Sequence, residues 1–486
     1  MKITTCSASL FLACCVSSTI ANAVPVVLTS DASGTKWVSV RSNSFTDDGA
    51  ELLKLTQKEN TLIAAMRNFY GLPMVAKSVD KGATWTTAFI QTTTFIPLGV
   101  SANDKGIIIG GNSQYGNPYV NNSVDGDGWQ GSSISFSYDC ENLQKLTGFA
   151  ANSSTMLLSG LCQYLNNSTG QTYSRATLLT SSDGASRSWQ VVNTLPQELQ
   201  TDGAAINFVQ WIKDKWFVLA TTSTNQLVIL TSVDMNAWTM MTVPHEVKAL
   251  TSIAANGDEY VAIGKLNTAE SVIMHSIDQG KNWTLKTFSK DQTFNQIRYS
   301  GSWIIVGKSG EKETRLLMLI SKDGITWANA DLPIKVTNPS TISTLNDVIW
   351  TGEKWIAIGA YDSSKSGCVG LRNLKWTGKL QAAQSIISVT NFNAWSDGKT
   401  KDNVTYDGNA AIEYTGSEGG QFGFGVFDGT CVESADEQTM NLSLVFKGRS
   451  INAIFNAADK AMKITSSCLP DEHSNCMNFT GTLSGN

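Results

Sequence analysis

One short pattern, Ser-x-Asp followed by Gly or Asn and then Trp, returns every 44 to 58 residues along the chain. A period of that size is the mark of a propeller or solenoid. The copies are Ser78-Asp80-Gly82-Trp85, Ser123-Asp125-Gly126-Trp129, Ser181-Asp183-Gly184-Trp189, Ser232-Asp234-Asn236-Trp238, Ser276-Asp278-Gly280-Trp283 and Ser321-Asp323-Gly324-Trp327. A degenerate seventh is Thr29-Asp31-Gly34-Trp37. Each follows a β-rich run such as VIMHS or LLMLIS, and about 15 to 25 residues earlier stands a second apolar run that often opens on an aromatic. There are seven of these second runs: TLIAAMRN, GIIIGGN, TMLLSGL, KWFVLATT, EYVAIGK, WIIVGK and KWIAIGAY.

The residue types suit a hairpin staple. A short Asp accepts backbone N–H bonds inside a tight turn, and Gly or Asn tolerates φ > 0. Ser bonds back to the turn, while Trp opens the next strand and packs on the neighbouring sheet. A lone Ser-x-Asp-Gly is common in loops, but six copies with a downstream Trp are specific. On these residues the chain resembles the Asp-box, or bacterial neuraminidase repeat, superfamily of sialidases, sortilin-type receptors, xyloglucanases and photosystem assembly factors. The resemblance covers about residues 24–380 and implies a β-propeller in which each box joins the third and fourth strands of a blade. It implies no activity, since the family holds enzymes, receptors and scaffolds.

The seven second-strand runs predict seven blades of roughly 51 residues each, enough for four strands apiece. The first copy offers only a late hairpin, VVLTS to KWVSV, which would complete the blade whose KWIAIGAY strand lies at 354–361. Residues 366–376, GCVGLRNLKW, compete for that place, with Asn373 and Trp376 as a decayed box; use of both hairpins gives eight blades. The propeller is expected over 24–380. From 381 to 486 alternating runs separated by Gly, Asp and Asn turns predict a small β-sandwich-like domain with no recognised family.

Lys2, an apolar stretch and the small-x-small triplet Ala21-Asn22-Ala23 read as a signal peptide over 1–23, giving a secreted or periplasmic protein that begins at Val24. No later run reaches 18 apolar residues, so no membrane span is expected. A lipoprotein cleaved before Cys14 is the alternative, although Phe11 stands where an aliphatic residue belongs. Removing the leader takes Cys6, Cys14 and Cys15 and leaves six of nine cysteines. Cys140–Cys162 and Cys468–Cys476 are the expected disulfides, with Cys368–Cys431 as a third candidate pair.

A net charge of −5 argues against a nucleic-acid partner. With only three histidines, His245, His275 and His473, a three-His metal centre is close to excluded, and no metal or cofactor is expected. The acidic runs lack the full calcium-loop pattern, and a turn staple repeated in every blade cannot be one active site, so the box residues are read as structural. No nucleophile elbow, Walker loop, HExxH or CxxC is present.

The sharpest catalytic hypothesis comes from the resemblance. Sialidase chemistry needs an arginine triad, a Tyr nucleophile primed by Glu, and an Asp acid/base. Where sialidases carry Arg-Ile-Pro before the first box, this chain has Met66-Arg67-Asn68-Phe69-Tyr70. Arg67, Arg298 and Arg315 lie near strand ends and Tyr299 adjoins Arg298, which makes these four the candidates. Their meeting at a central channel with two acids would support a hydrolase, and their scatter would not. The preferred reading is an exported, monomeric, non-enzymatic binding protein offering one loop-lined face to a glycan or protein. The Tyr- and Asn-rich segments 112–121 and 163–176, with 361–367, are the candidate binding loops. A secreted sialidase-like exo-glycosidase and an extracytoplasmic assembly factor or scaffold are the alternatives.

Overall fold

The computed structural model describes residues 23–486 apart from 41–44, 46–49, 69–70, 91–94, 133–139, 141, 166–169, 311–313, 335–342, 363–367, 369–370, 372–373, 384, 401–404, 417–420, 424–426, 435–438, 447–448, 457–459, 471–475 and 486. The leader expected at 1–23 therefore lies outside the described residues, Ala23 excepted. Two compact units emerge: the described parts of Met1–Val40, Asp47–Asp331 and Thr341–Ala360, and those of Arg41–Thr46, Leu332–Ser340 and Tyr361–Asn486. Among the described residues no helix is long and apolar enough to cross a membrane.

The first unit is a seven-bladed β-propeller, each blade a four-stranded sheet. In chain order the blades begin with the strands Glu51–Lys58, Ile96–Ala102, Asn142–Ala151, Ala205–Ile212, Val247–Asn256, Gln292–Tyr299 and Thr344–Trp350. Second strands such as Thr61–Arg67 and Lys215–Thr221 are buried almost end to end, because neighbouring blades cover both of their faces. That is why they read as continuous apolar runs rather than alternating ones. Fourth strands such as Thr284–Phe288 are almost wholly exposed at the rim. Buried side chains fill the gaps between blades: Ile63, Val75, Ile107 and Ile109 between blades 1 and 2, and Phe217, Ile253, Tyr260 and Met274 between blades 4 and 5.

Six blades are continuous segments and the seventh is composite. Its strands run in the order Trp37–Val40, Ala23–Ser30, Trp355–Asp362 and Thr344–Trp350, so the N-terminal hairpin supplies the third and fourth positions. Closure leaves each blade only short, protected edges, the inner ones lining the central channel. The eight-blade arrangement is not adopted, because Trp376–Gln381 pairs with Ile386–Thr400 and Gly481–Gly485 in the second unit. That strand precedes the boundary expected at 380, and the first unit ends at Ala360.

Every first strand carries a register shift at the same place: Leu52/Lys54, Pro97/Gly99, Leu146/Gly148, Ile206/Phe208, Leu250/Ser252, Phe294/Gln296 and Leu345/Asp347. One residue of each, from Leu53 round to Asn346, is thus extra to the ladder, which bends the strand and increases its twist where the seven converge.

The second unit is a closed, barrel-like sheet of eight strands: Trp376–Gln381, Ile386–Thr400, Thr405–Thr415, Phe427–Glu433, Thr439–Phe446, Arg449–Asn456, Ala461–Pro470 and Gly481–Gly485. Ile386–Thr400 pairs with Thr405–Thr415 and shuts the ring. A sandwich and a barrel share the same inside-outside alternation, so the alternating runs fit both and only the strand pairing separates them. Trp376, Phe392, Tyr414, Phe427 and Phe455 fill its core. Cys368–Cys431 and Cys468–Cys476 are both disulfides in this unit, and Cys140–Cys162 is a disulfide in blade 3.

Candidate functional site

The repeated turn lies between the third and fourth strands of each blade, as between Pro73–Ser78 and Thr86–Phe89. There the Ser78 hydroxyl donates to Asp80 Oδ1 at 2.8 Å and accepts from the Gly82 N–H at 2.7 Å, while the Thr84 N–H donates to Asp80 Oδ1 at 2.8 Å. Asp125, Asp183, Asp234, Asp278 and Asp323 hold their own turns in the same way, paired with Ser123, Ser181, Ser232, Ser276 and Ser321. Asp31 does so with Ser33. The indole N–H of Trp37, Trp85, Trp129 and Trp327 donates to the turn glycine's carbonyl, at 2.7 to 3.2 Å. That of Trp238 reaches Thr194 instead, and those of Trp189 and Trp283 are buried without a partner. In blade 4 the positive φ falls on Met235 (63°), not on Asn236, whose amide binds Asp234.

These bonds set the acidity of the carboxyls. The Asn282 N–H, then its side-chain amide and the Ser276 hydroxyl, bring Asp278 down to about 2. At Asp80 burial pushes upward, but bonds from Thr84, Ser78 and Ala83 outweigh it and bring the group to about 2. Asp31, Asp125, Asp183, Asp234 and Asp323 are all lowered as well. Such groups stay ionised and occupied, and nothing marks them as acid/base catalysts.

The first strands of all seven blades enclose a central cavity of about 420 Å³. Three ionisable side chains line it: Lys54 from blade 1, Arg298 from blade 6 and Asp347 from blade 7. Asp347 is 2% exposed; its Oδ2 accepts from the Leu55 N–H at 3.0 Å and its Oδ1 from the Val348 N–H at 2.9 Å. Arg298 Nη1 donates to Gln210 Oε1 at 2.6 Å and to the Ile297 carbonyl at 3.3 Å, and its Nη2 stands 3.8 Å from Asp347 Oδ1. Thr56, Thr251, Asn207 and Gln296 add neutral polar groups, and Phe149, Trp211 and Trp350 add apolar surface. The lining holds one carboxylate and no tyrosine, whereas most glycoside hydrolases use two carboxylates flanking the scissile bond and sialidases a Tyr nucleophile.

The catalytic candidates do not converge. Arg67 ends the second strand of blade 1 and pairs with Glu51 at 2.6 Å. Arg315 is exposed at the start of a third strand, and the Tyr299 ring packs on Trp303 at 4.5 Å. Of the four only Arg298 reaches the cavity. Lys54 and Asp347 were not singled out from the sequence, and no local motif marks them. His275 meets Glu259 at 2.8 Å, His245 is exposed beside Glu246, and His473 lies outside the described residues. Among the described residues no three His, Cys, Asp or Glu side chains gather as metal ligands.

On the face opposite the repeated turns, blade 3 stands out. Its second and third strands, Met156–Leu165 and Thr172–Ser181, have ten residues each where other blades have six to eight. Tyr164 and Tyr173 stack at 5.6 Å and the Arg175 guanidinium lies 3.7 Å from the Tyr164 ring. Cys162, on the same strand as Tyr164, is tied to Cys140. On the adjacent blade 2, the equivalent turn places Tyr115 82% exposed. Of the expected loops, 166–169 and 363–367 fall outside the described residues.

No family model matches the chain, and no curated protein does. Among solved structures it is similar to YCF48 bound to D1 peptide (12% identity, 60% of this chain and 91% of that one, TM-score 0.38). It is also similar to a GH74 enzyme of Niastella koreensis (13%, 89% and 68%, TM-score 0.40) and to an Aleuria aurantia lectin bound to Fucalpha1-6GlcNAc (12%, 60% and 96%, TM-score 0.37). These likenesses are too distant to speak for a function, and the propeller assignment rests on the seven sheets themselves.

Proposed function

We propose that this chain is an exported, non-enzymatic binding protein that uses the face opposite the boxes to hold a glycan or protein. One observation carries the reading: the long, disulfide-tied hairpin of blade 3 leaves Tyr173 and Arg175 part-exposed over the buried Tyr164, and the corresponding turn of the adjacent blade 2 exposes Tyr115. Flat rings stack on sugar faces and anchor protein interfaces at low conformational cost. The Asp-box assignment and the purely structural role of the seven turns belong to the same proposal. Export to an oxidising compartment is supported by three disulfides. The hydrolase alternative is disfavoured by the dispersal of Arg67, Arg298 and Arg315 and by the single carboxylate of the cavity.

The test is binding of residues 24–486 to a broad glycan array, with bound spots inspected for loss of the terminal sugar, in parallel with Tyr115→Ala and Tyr173→Ala variants. Binding without loss that either variant weakens supports the proposal. Loss of the sugar revives the hydrolase. Silence from a folded sample removes the carbohydrate half and sends the search to protein partners by pull-down.

A further inference from the structure

We propose that the central cavity is a binding site for a small oxyanion that also carries a hydroxyl, a hydroxycarboxylate or hydrogen phosphate, held between Lys54 and Arg298. The site is separate from the loop face and stands whether or not that face binds a glycan.

The charge count comes first. The cavity lining carries two cations and one anion, and the anion is already engaged. Both Asp347 oxygens accept backbone N–H groups, and Arg298 Nη2 at 3.8 Å is beyond hydrogen-bond distance from it. Arg298 spends Nη1 on Gln210 and on Ile297. Lys54 has no hydrogen-bond partner among the described residues, although an ammonium carries three donors. One positive charge is left over in a channel lined by all seven first strands, where Lys54 and Arg298 are part-buried and only partly solvated. Burial, with the nearby Arg298, pushes the Lys54 ammonium toward deprotonation, and Asp347 only partly opposes it. An oxyanion reverses both effects by charge and by accepting those donors. A metal cation would meet two like charges and is disfavoured.

A second observation narrows the chemistry. Gln296 is 2% exposed, lines the same cavity, and its Oε1 is buried without a partner. A carbonyl oxygen is satisfied only by a donor, and a bare carboxylate has none. A hydroxyl beside the carboxylate, or the O–H of hydrogen phosphate, supplies it once the Gln296 amide turns toward the space. Thr56, Thr251 and Asn207 surround the same space, and about 420 Å³ admits an acid of a few carbons.

The experiment uses the full mature chain at constant ionic strength. Thermal unfolding and calorimetric titration are followed with lactate, inorganic phosphate, acetate, and neutral propane-1,2-diol. Saturable stabilisation by lactate or phosphate, at least tenfold tighter than by acetate and absent with the diol, is expected; which of the two binds identifies the source. Lys54→Met should lower that affinity at least tenfold, while Lys281→Met, the same charge change on an exposed turn, should leave it unaltered. If Lys54→Met does not fold, side-chain NMR of labelled lysine in the unaltered protein takes its place, and the Lys54 signal should move with ligand. No stabilisation by either oxyanion, equal loss in both lysine variants, or a Lys54 signal that stays still would overturn the proposal.

Discussion

Gly307 sits so tightly against Thr293 that a methyl group built on it would lie 1.9 Å from the Thr293 carbonyl oxygen. Gly264 against Ala249 and Gly359 against Thr344 repeat the approach at 2.0 Å, each beside the register shift of its first strand. Substituting Gly307→Ala should therefore destabilise the propeller by about 2 kcal/mol, the usual scale of overpacking. Blades 1 and 4 place Met66 and Ala220 at the equivalent pairing, so the fold should survive. A urea midpoint unchanged by the substitution would contradict this account.

Acid should weaken the propeller through its turns. A carboxyl whose folded pKa lies below its unfolded value adds stability that is complete above the unfolded value, about 4, and is lost as pH falls through the folded one. With Asp80 and Asp278 at about 2 and the other five turn carboxyls also lowered, the loss should run from about pH 4 to below pH 2. Urea midpoints measured from pH 6 to pH 2 should fall over that window. Asp278→Asn should be less stable at pH 7 and show a shallower slope.

Removing the blade 3 disulfide with Cys140→Ser and Cys162→Ser should cost about 3 kcal/mol, from the chain freedom regained across a separation of 22 residues. Hydrogen exchange should rise chiefly in Met156–Leu165 and Thr172–Ser181. Equal protection with and without the bond would show that the hairpin needs no brace.

Asp347→Ala should be harsher than an ordinary surface change. It strips the acceptor from the Leu55 and Val348 N–H groups and leaves Arg298 without its neighbouring charge. A loss of about 3 to 5 kcal/mol is expected for breaking such a buried set. Asp347→Asn, which keeps one acceptor, should recover part of it in chemical denaturation.

The propeller was legible because turn chemistry is local: Ser78, Asp80, Gly82 and Trp85 act within eight residues of one another. The late hairpin VVLTS to KWVSV was likewise expected beside the KWIAIGAY strand, where the composite blade holds it. The cavity was not legible, because Arg298 and Asp347 lie one blade apart in sequence while Lys54, on the blade that follows them round the ring, lies more than 200 residues earlier. Each first strand also changes register midway, so a two-residue alternation carried through from its start assigns the wrong face beyond Leu52 or Leu345. The recurring second-strand glycine, as in Gly264, Gly307 and Gly359, was the available signal for those shifts. Barrel closure depends on which strands pair, and Ile386–Thr400 against Thr405–Thr415 leaves no trace in alternation.

The composite seventh blade also sets the order of assembly. Ala23–Ser30 leaves the ribosome before the other strands of the propeller, yet the strand it joins, Trp355–Asp362, follows more than 300 residues later. Until then the earliest hairpin has an open edge and six blades have no ring to complete. The closing step thus spans nearly the whole propeller, which predicts slow, all-or-none maturation rather than blade-by-blade growth. A chain stalled anywhere before Trp355 would present that edge to other chains, which makes incomplete chains of this topology prone to aggregate.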